Sequence, residues 1–304
     1  MPIVDAIHPI LASAPLTWFQ AAVLGVLQGV TELFPISSLG HTVLFPTLFG
    51  WHSLVRAQSD PESFWLAFVV MLHVGSAVGL LIYFWRDWVA IITSFFRTLR
   101  KRRIETPTEH LAWLIIASSI PTGILGLLLE HPVRVALAKP TAAAIFLVVN
   151  GVILIGAERL RRRGALAAQG TQAGRARPLD TLTYKEATGI GFVQSTALIA
   201  GISRDGVCMT AGLLRGLSNE DAARYAFLLA TPIILAAGLF KLSDLTGPLG
   251  AGIRGQAVLA AVCAAIAAIF AVHYLMRYFR TRNLVPFGIY CIVFGLAMVI
   301  YTTV

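Results

Sequence analysis

Six apolar segments, each long enough to cross a lipid bilayer, constrain this 304-residue chain more than any other feature. A transmembrane helix needs about 20 mostly apolar residues. The segments that meet this requirement are Phe64–Trp85, Ala112–Leu129, Thr141–Ala157, Ala222–Leu239, Gln256–Leu275 and Val285–Tyr301. Charged residues make up only 13% of the chain, about half of their share in a soluble domain. The alternating strands of a membrane barrel are absent, so the sequence predicts an all-α polytopic membrane protein.

Two further apolar stretches are interrupted before they complete a span. Trp18–Phe34 runs into Pro, Ser and Gly residues, and Thr188–Ile202 runs into Gly and Ser residues. Non-helical backbone is tolerated at membrane depth only where protein surrounds it, because lipid cannot satisfy open N–H and C=O groups. We therefore expect two re-entrant helical hairpins in addition to the six transmembrane helices.

The basic residues predict the orientation of the chain. They are concentrated in three connections, at 86–103, 159–178 and 276–283. Connections rich in Lys and Arg face the cytoplasm, which places both termini on the outer side. The net charge of +9 is then explained by membrane orientation and by contact with anionic lipid headgroups. No nucleic-acid partner is expected.

An internal repeat is visible when the chain is compared with itself at a shift of 166 residues. The shift aligns Gly25 with Gly191, Gln28 with Gln194, Ile36 with Ile202, Ser37 with Ser203, and Gly40 with Gly206. Each half contains one hairpin followed by three spans, and an odd number of spans reverses the second half. The prediction is an inverted-topology repeat, with its site where the two broken elements meet. We expect one integral membrane domain over 1–304, with repeat 1 at about 17–158, a linker at about 159–182 and repeat 2 at about 183–304.

The first hairpin carries a dense group of polar residues within 25–42. Gln28 and Glu32 are four residues apart and therefore share one helix face. Pro35 is expected to end that helix, and Ser37 and Ser38 then form a turn whose free N–H groups suit an anion. His41 beside it has the chemistry of an acid, a base or a nucleophile. The structural alternative is a helix cap, hydroxyls bonded to carbonyls and a core histidine.

The second hairpin carries Arg204, which aligns with Ser38, so the two tips should face each other. An arginine at membrane depth needs a partner, and Glu32 or Asp205 could supply it. Its planar guanidinium group also suits bidentate hydrogen bonding to phosphate oxygens. A purely structural ion pair is the alternative. His73, Ser76 and Asn150 lie inside spans and are expected to make helix–helix hydrogen bonds.

The motifs Gln28-x-x-x-Glu32, Pro35-Ile-Ser-Ser-x-Gly-His41 and Gly201-x-Ser-Arg204-x-Gly206 resemble those of the undecaprenyl-pyrophosphate phosphatase (bacitracin-resistance) family. The resemblance extends over nearly the whole chain. It implies a bacterial inner-membrane enzyme that removes the terminal phosphate of a C55 isoprenoid diphosphate on the outer side, recycling the lipid carrier for cell-wall synthesis. It also implies the inverted repeat with two re-entrant hairpins, and Mg²⁺ or Ca²⁺ as cofactor. The expected partners are the prenyl diphosphate substrate and membrane lipids; a homodimer is left open.

Roles for individual residues follow from the resemblance. The expected catalytic residues are Glu32, His41, Ser38 and Arg204, and the expected phosphate-binding residues are Ser37, Ser203, Arg204, Gly206 and Thr210, the last lying close to the position of the motif's threonine. The expected metal ligands are Glu32 and Gln28, with Asp205 added as a hypothesis because it departs from the family motif. His41, Ser38 and water are all candidate nucleophiles. His41 is favoured because a neutral imidazole reacts near pH 7, whereas a serine needs a base.

Three residues depart from the family's second motif: Ala200 replaces its proline, Asp205 its second serine and Cys208 its threonine. With Gln at position 28, the first motif lacks one carboxylate. One hypothesis is that Asp205 supplies this carboxylate for the metal from the facing tip. The alternatives are a different substrate or a loss of hydrolysis, in which case the chain would be a transporter or flippase, or a non-hydrolytic binder, of a prenyl phosphate.

Overall fold

The computed structural model describes residues 16–59, 63–137, 139–167, 176–240, 247 and 252–304. These residues form twelve α-helices, with no β-structure beyond one isolated bridge between Arg177 and Leu217. The helices are α1 Trp18–Leu33, α2 Ser38–Leu48, α3 His52–Ser59, α4 Trp65–Tyr83, α5 Trp85–Lys101, α6 Pro107–Leu137, α7 Pro140–Ala167, α8 Tyr184–Gln194, α9 Arg204–Leu214, α10 Asn219–Phe240, α11 Arg254–Tyr278 and α12 Val285–Thr303. Short 3₁₀ turns lie at Leu179–Thr181 and Ser195–Leu198.

The six predicted spans are confirmed. Among the described helices, α4, α6, α7, α10, α11 and α12 are long and apolar enough to cross a membrane, so the chain is a multi-pass membrane protein. Helices α6 and α10 begin earlier than the predicted spans because their first turns are polar. Glu109 lies in the first turn of α6, and Glu220 and Asp221 lie in that of α10. Acidic residues stabilise a helix N-terminus. Because they are charged, a span predicted from apolar residues alone begins after them.

Helix α5 replaces most of what the sequence presents as a basic connection at 86–103. Its inner face buries Ile91, Ser94 and Thr98, and Arg97 Nε pairs with Glu109 of α6 at 2.7 Å. The opposite face exposes an apolar stripe at helical spacing, made of Trp85, Val89, Ile92, Phe96 and Leu99. The sequence did not predict this helix because arginines interrupt the apolar pattern, which has a period of 3.6 residues. A basic connection between two spans also has the same charge pattern whether or not it is helical.

Each predicted hairpin is a pair of short helices with a break between them. In the first, α1 ends at Leu33 and Phe34 is extended just before Pro35. In the second, α8 runs into the 3₁₀ turn and Ile199 is extended. Helix α1 packs on α11, and α8 packs on α6. Gly25 and Gly191 permit these contacts, since a Cβ would lie 2.4 Å from the Ala260 carbonyl oxygen at Gly25 and 2.0 Å from that of Ser118 at Gly191.

The helix caps of the two hairpins match at the spacing of 166 residues. Thr17 forms a capping box with Gln20 at the start of α1, and Thr183 forms one with Glu186 at the start of α8. The second helices match as well, because Ser37 caps α2 and Ser203 caps α9. The linker expected at 159–182 begins inside α7, which continues to Ala167. Residues 168–175 of that linker lie outside the described residues.

Candidate functional site

Glu32, in the last turn of α1, is the centre of a buried polar cluster. Its Oε1 accepts a hydrogen bond from Arg204 Nη2 at 2.6 Å. Its Oε2 accepts from Gln28 Nε2 at 2.9 Å and from the Ser38 hydroxyl. His73 Nε2 lies 3.4 Å from the same Oε2. Side chains from α1, α2, α4 and α9 therefore meet at one carboxylate.

Arg204 is the first residue of α9 and reaches across to the first hairpin. Its Nη1 donates to the Ala230 carbonyl of α10 at 3.1 Å, while Nη2 donates to Glu32. Asp205 Oδ1 is 3.7 Å from the same Nη2. The guanidinium thus lies between two carboxylates, which lowers the cost of placing its charge at membrane depth. The partner expected for Arg204 from the sequence is present.

The two tips contact each other through the Ser37 hydroxyl and through closely approaching backbone. Ser37 has a positive φ of 70°, and its Oγ accepts from the Gly40 N–H at 3.2 Å and from the Gly201 N–H at 3.1 Å. A Cβ at Gly40 would lie only 3.0 Å from Gly201 Cα. The tips therefore face each other, as the repeat alignment predicts.

Asn150, in the middle of α7, joins the two tips. Its Nδ2 donates to the Pro35 carbonyl at 3.0 Å, and its Oδ1 accepts from the Ser203 N–H at 2.9 Å. The sequence predicts a helix–helix hydrogen bond for this residue. The structure shows instead that its amide satisfies one open backbone group in each break, which lipid could not do.

His41 is buried on the side of α2 that faces α12. Its Nδ1 lies 2.7 Å from the Ser37 carbonyl, and its Nε2 lies 2.8 Å from the Tyr290 hydroxyl. The ring stacks on Tyr290 and Phe294. Both nitrogens therefore have partners outside the Glu32 cluster, and His41 contacts that cluster only through the backbone of the tip.

The residues expected to bind phosphate differ in whether their polar groups are already hydrogen-bonded. The hydroxyl of Ser203 accepts from the Gly206 N–H at 3.1 Å, so both groups are engaged in the cap of α9, as the Ser37 hydroxyl is in that of α2. Thr210 is buried two turns further along α9, and its hydroxyl has no hydrogen-bond partner among the described residues. Arg204 is the member of this set with a charge that faces the cluster.

The expected metal ligands also differ in their availability. Gln28 is committed to Glu32 through Nε2, whereas neither carboxylate oxygen of Asp205 accepts a hydrogen bond from a described residue, although both are buried. Orphaned carboxylate oxygens beside Glu32 and Arg204 fit a divalent cation. Within the described ranges, no group of three or more His, Cys, Asp or Glu residues could hold a metal ion by itself. Substrate oxygens would have to complete the coordination, as is common for Mg²⁺.

Sequence comparison places the chain among known proteins. The model of the family described as bacitracin resistance protein BacA matches residues 21–297. The chain belongs to this family. Among its relatives, the undecaprenyl-diphosphatase of Mycolicibacterium paratuberculosis is 51% identical over 95% of this chain and 98% of its own length. Undecaprenyl-diphosphatase 2 of Frankia alni is 50% identical over 92% and 96% respectively.

A third relative extends the comparison. Undecaprenyl-diphosphatase 1 of Burkholderia pseudomallei is 44% identical over 92% of this chain and 94% of its own length. The family resemblance noted from the motifs is thereby confirmed, and it covers nearly the whole chain. All three relatives are named undecaprenyl-diphosphatases.

His73 is the residue of the cluster that sequence reasoning missed. It was assigned to ordinary helix–helix hydrogen bonding, yet it lies beside Glu32. The available signal was its position: an ionisable residue near the middle of a span faces the protein interior by default and marks a functional site.

Proposed function

We propose that this chain hydrolyses undecaprenyl diphosphate to undecaprenyl phosphate and inorganic phosphate, recycling the lipid carrier for cell-wall synthesis. The observation that carries the proposal is the junction of Glu32, Ser38 and Arg204, where a carboxylate, a hydroxyl and a guanidinium from two hairpins meet. Membership of the BacA family and the shared name of its relatives support the substrate.

The geometry favours Ser38 as the nucleophile, although a serine needs a base. The Ser38 hydroxyl donates to Glu32, which supplies that base, whereas both ring nitrogens of His41 are bonded elsewhere. In the proposed first step, Glu32 accepts the Ser38 proton and Oγ attacks the terminal phosphorus. The bond between that phosphorus and the bridging oxygen breaks, and undecaprenyl phosphate leaves.

Glu32 passes the Ser38 proton to the departing undecaprenyl phosphate and is again a carboxylate. In the second step, water attacks the phosphoserine while Glu32 accepts a proton from it, the Oγ–phosphorus bond breaks, and Glu32 returns the proton to Oγ, which restores the serine hydroxyl and releases inorganic phosphate. In both steps, Arg204 binds the phosphate oxygens through its charge and through bidentate hydrogen bonds. Catalysis of this kind depends mainly on position and charge stabilisation.

Alanine substitutions test this assignment. We expect Ser38→Ala to abolish phosphate release from purified protein, and His41→Ala to lower kcat by about 10- to 100-fold through lost hydrogen bonds and packing. Acid quenching during turnover with diphosphate labelled at the terminal phosphate should trap the label on Ser38. Trapped phosphohistidine, or full activity in Ser38→Ala, would contradict the assignment.

A divalent cation, Mg²⁺ or Ca²⁺, is proposed to bind beside Glu32 and Asp205. When bound, it would neutralise charge on the diphosphate. The unpartnered oxygens of Asp205 support its predicted role as a replacement for the carboxylate that Gln28 lacks. Gln28 itself orients Glu32 through its amide.

The architecture proposed for this function is an inverted repeat with two re-entrant hairpins in the bacterial inner membrane, with the site open to the outer side. The matched caps and the matched packing of Gly25 and Gly191 support the repeat. Because paired broken helices are also a transporter design, flipping of a prenyl phosphate is the second candidate. Phosphate release by purified protein separates the two. A homodimer remains a prediction.

A further inference from the structure

A cavity of about 250 Å³ lies between α7 and α12, away from the Glu32 cluster. It is at the end of the protein where the basic connections 159–178 and 276–283 are expected to face the cytoplasm. Its α7 residues are spaced i, i+3, i+4 and i+7 and its α12 residues four apart, so each set shares one helix face. The lining consists of Ile155, Glu158, Arg159, Arg162, Val285 and Ile289.

The packing of the two helices explains why a space opens here. A Cβ at Gly151 would lie 2.5 Å from the Gly288 carbonyl oxygen, and one at Gly295 would lie 2.7 Å from the Val148 side chain. The helices therefore run in opposite directions in close contact. Because α12 begins at Val285, the last turns of α7 extend past it, and the cavity lies where the close contact ends.

The two arginines of the cavity are positioned but not consumed by ion pairs. Glu158 is fully buried, and its Oε1 accepts from Arg161 Nη2 at 2.6 Å and from Arg162 Nε at 3.2 Å. This bond fixes the Arg162 side chain, which is still 56% exposed, and leaves its terminal nitrogens without a partner among the described residues. Arg159 is exposed and pairs with no described residue. Both guanidinium groups can therefore bind an anion.

We propose that this cavity binds an anionic phospholipid of the cytoplasmic leaflet, with its phosphate on Arg159 and Arg162 and an acyl chain between α7 and α12. Arginine binds phosphate oxygens in a bidentate geometry. Basic pockets between transmembrane helices on the cytoplasmic side recognise such head groups. Ile155, Val285 and Ile289 supply the apolar wall. The inference does not use the proposed hydrolysis; it rests on the predicted orientation of the chain.

The charges at the cavity select an anionic lipid over a zwitterionic one. Arg159, Arg161 and Arg162 outnumber the single carboxylate of Glu158. The Oε2 of Glu158 accepts no hydrogen bond from a described residue, but it is buried and therefore out of reach of a lipid ammonium group. The N-terminus of α12 adds partial positive charge, and its N-cap residue, Leu284, makes no capping hydrogen bond. The ammonium group of phosphatidylethanolamine would therefore have no partner.

Native mass spectrometry of the delipidated full-length protein tests the proposal. Protein in detergent is titrated with phosphatidylglycerol or with phosphatidylethanolamine that carries the same acyl chains, and bound lipid is counted from the mass. We expect a tight phosphatidylglycerol adduct on the wild type and at least a tenfold higher Kd in Arg159→Gln/Arg162→Gln, because charge-assisted contacts are lost. Phosphatidylethanolamine should bind the wild type at least tenfold more weakly.

A second double variant, Arg100→Gln/Arg103→Gln, is the matched control. It removes two exposed arginines at the same spacing from another basic connection on the same expected side, and its Kd for phosphatidylglycerol should stay within threefold of wild type. Circular dichroism checks the fold of both variants. Excess inorganic phosphate should displace little phosphatidylglycerol, since it has no acyl chain.

Four outcomes would overturn the proposal. They are equal losses of phosphatidylglycerol binding in the two double variants, equal affinity for phosphatidylethanolamine, displacement by inorganic phosphate, and tighter binding of undecaprenyl phosphate than of phosphatidylglycerol at Arg159 and Arg162. The last result would make a prenyl phosphate the occupant of the cavity.

Discussion

In the first hairpin, the Ser37 hydroxyl accepts from the Gly40 N–H at 3.2 Å, and in the second, the Ser203 hydroxyl accepts from the Gly206 N–H at 3.1 Å. The residue after each cap differs: it is Ser38 in the first tip and Arg204 in the second. Glu32 likewise corresponds to an apolar residue, Leu198. The backbone frame is shared, whereas the reactive side chains have diverged. Neither tip alone contains a nucleophile, a base and an anion-binding group.

Among the variants that test this comparison of the two tips, the largest effect is expected at Arg204, which has no charged counterpart in the first tip. Arg204→Ala should lower kcat/KM by at least 10³-fold, because it removes the anion-binding group and leaves Glu32 without its charged partner. Arg204→Lys keeps the charge but loses the bidentate hydrogen-bonding geometry of the guanidinium group, so an intermediate loss of kcat/KM is expected. Phosphate release assays on detergent-solubilised variants measure both. Activity within tenfold of wild type in Arg204→Ala would remove Arg204 from the catalytic site.

A smaller effect is expected when the glycine whose N–H donates to each capping serine, Gly40 or Gly206, is replaced by alanine. A Cβ at Gly40 meets Gly201 Cα in the opposite tip at 3.0 Å, whereas one at Gly206 meets the end of the Leu154 side chain at 3.2 Å and Ser203 Cβ at 3.0 Å. Backbone cannot yield as a side chain can. Gly40→Ala should therefore cost about 1–3 kcal/mol of stability and separate the tips, with a smaller loss for Gly206→Ala. Thermal unfolding and kcat of the two variants check the order; equal losses would contradict it.

The smallest effects are expected at the outer caps. Thr17→Ala and Thr183→Ala each remove one capping hydroxyl, at a cost of about 1 kcal/mol, with little change in activity. The second cap has an additional support, since Arg177 pairs with Glu186 at 3.0 Å. Hydrogen bonding by Arg177 lowers the pKa of Glu186 to about 2.

This support has a defined pH dependence. A depressed pKa in the folded state stabilises the protein above the ordinary pKa of Glu, and that contribution is lost as the pH falls toward about 2. The unfolding midpoint of the wild type should therefore exceed that of Arg177→Ala by more at pH 7 than at pH 3. A pH-independent difference would exclude the ion pair as the cause.

Much of the fold could be predicted because its signals are local. Length and apolarity alone predicted six spans, and Pro35 marked the first break. The contact between Arg204 and Glu32 was also predictable, since a buried charge requires a partner. The geometry of His41 was not, because its partner Tyr290 is 249 residues away. The bridging role of Asn150 and the approach of His73 to Glu32 likewise depend on which helix faces lie inward, which neither span alone reveals.

The order of synthesis gives the tip junction a consequence for biogenesis. Arg204 follows Glu32 by 172 residues, so the ribosome delivers the base and the nucleophile long before their cationic partner. Until the second hairpin is inserted, the Asn150 amide lacks its Ser203 contact and Glu32 lacks its counter-charge. A half-inserted chain therefore has the Glu32 carboxylate with its contacts to Gln28, Ser38 and His73 but without the guanidinium of Arg204. The contact between the two tips can therefore form only after the second hairpin has been inserted.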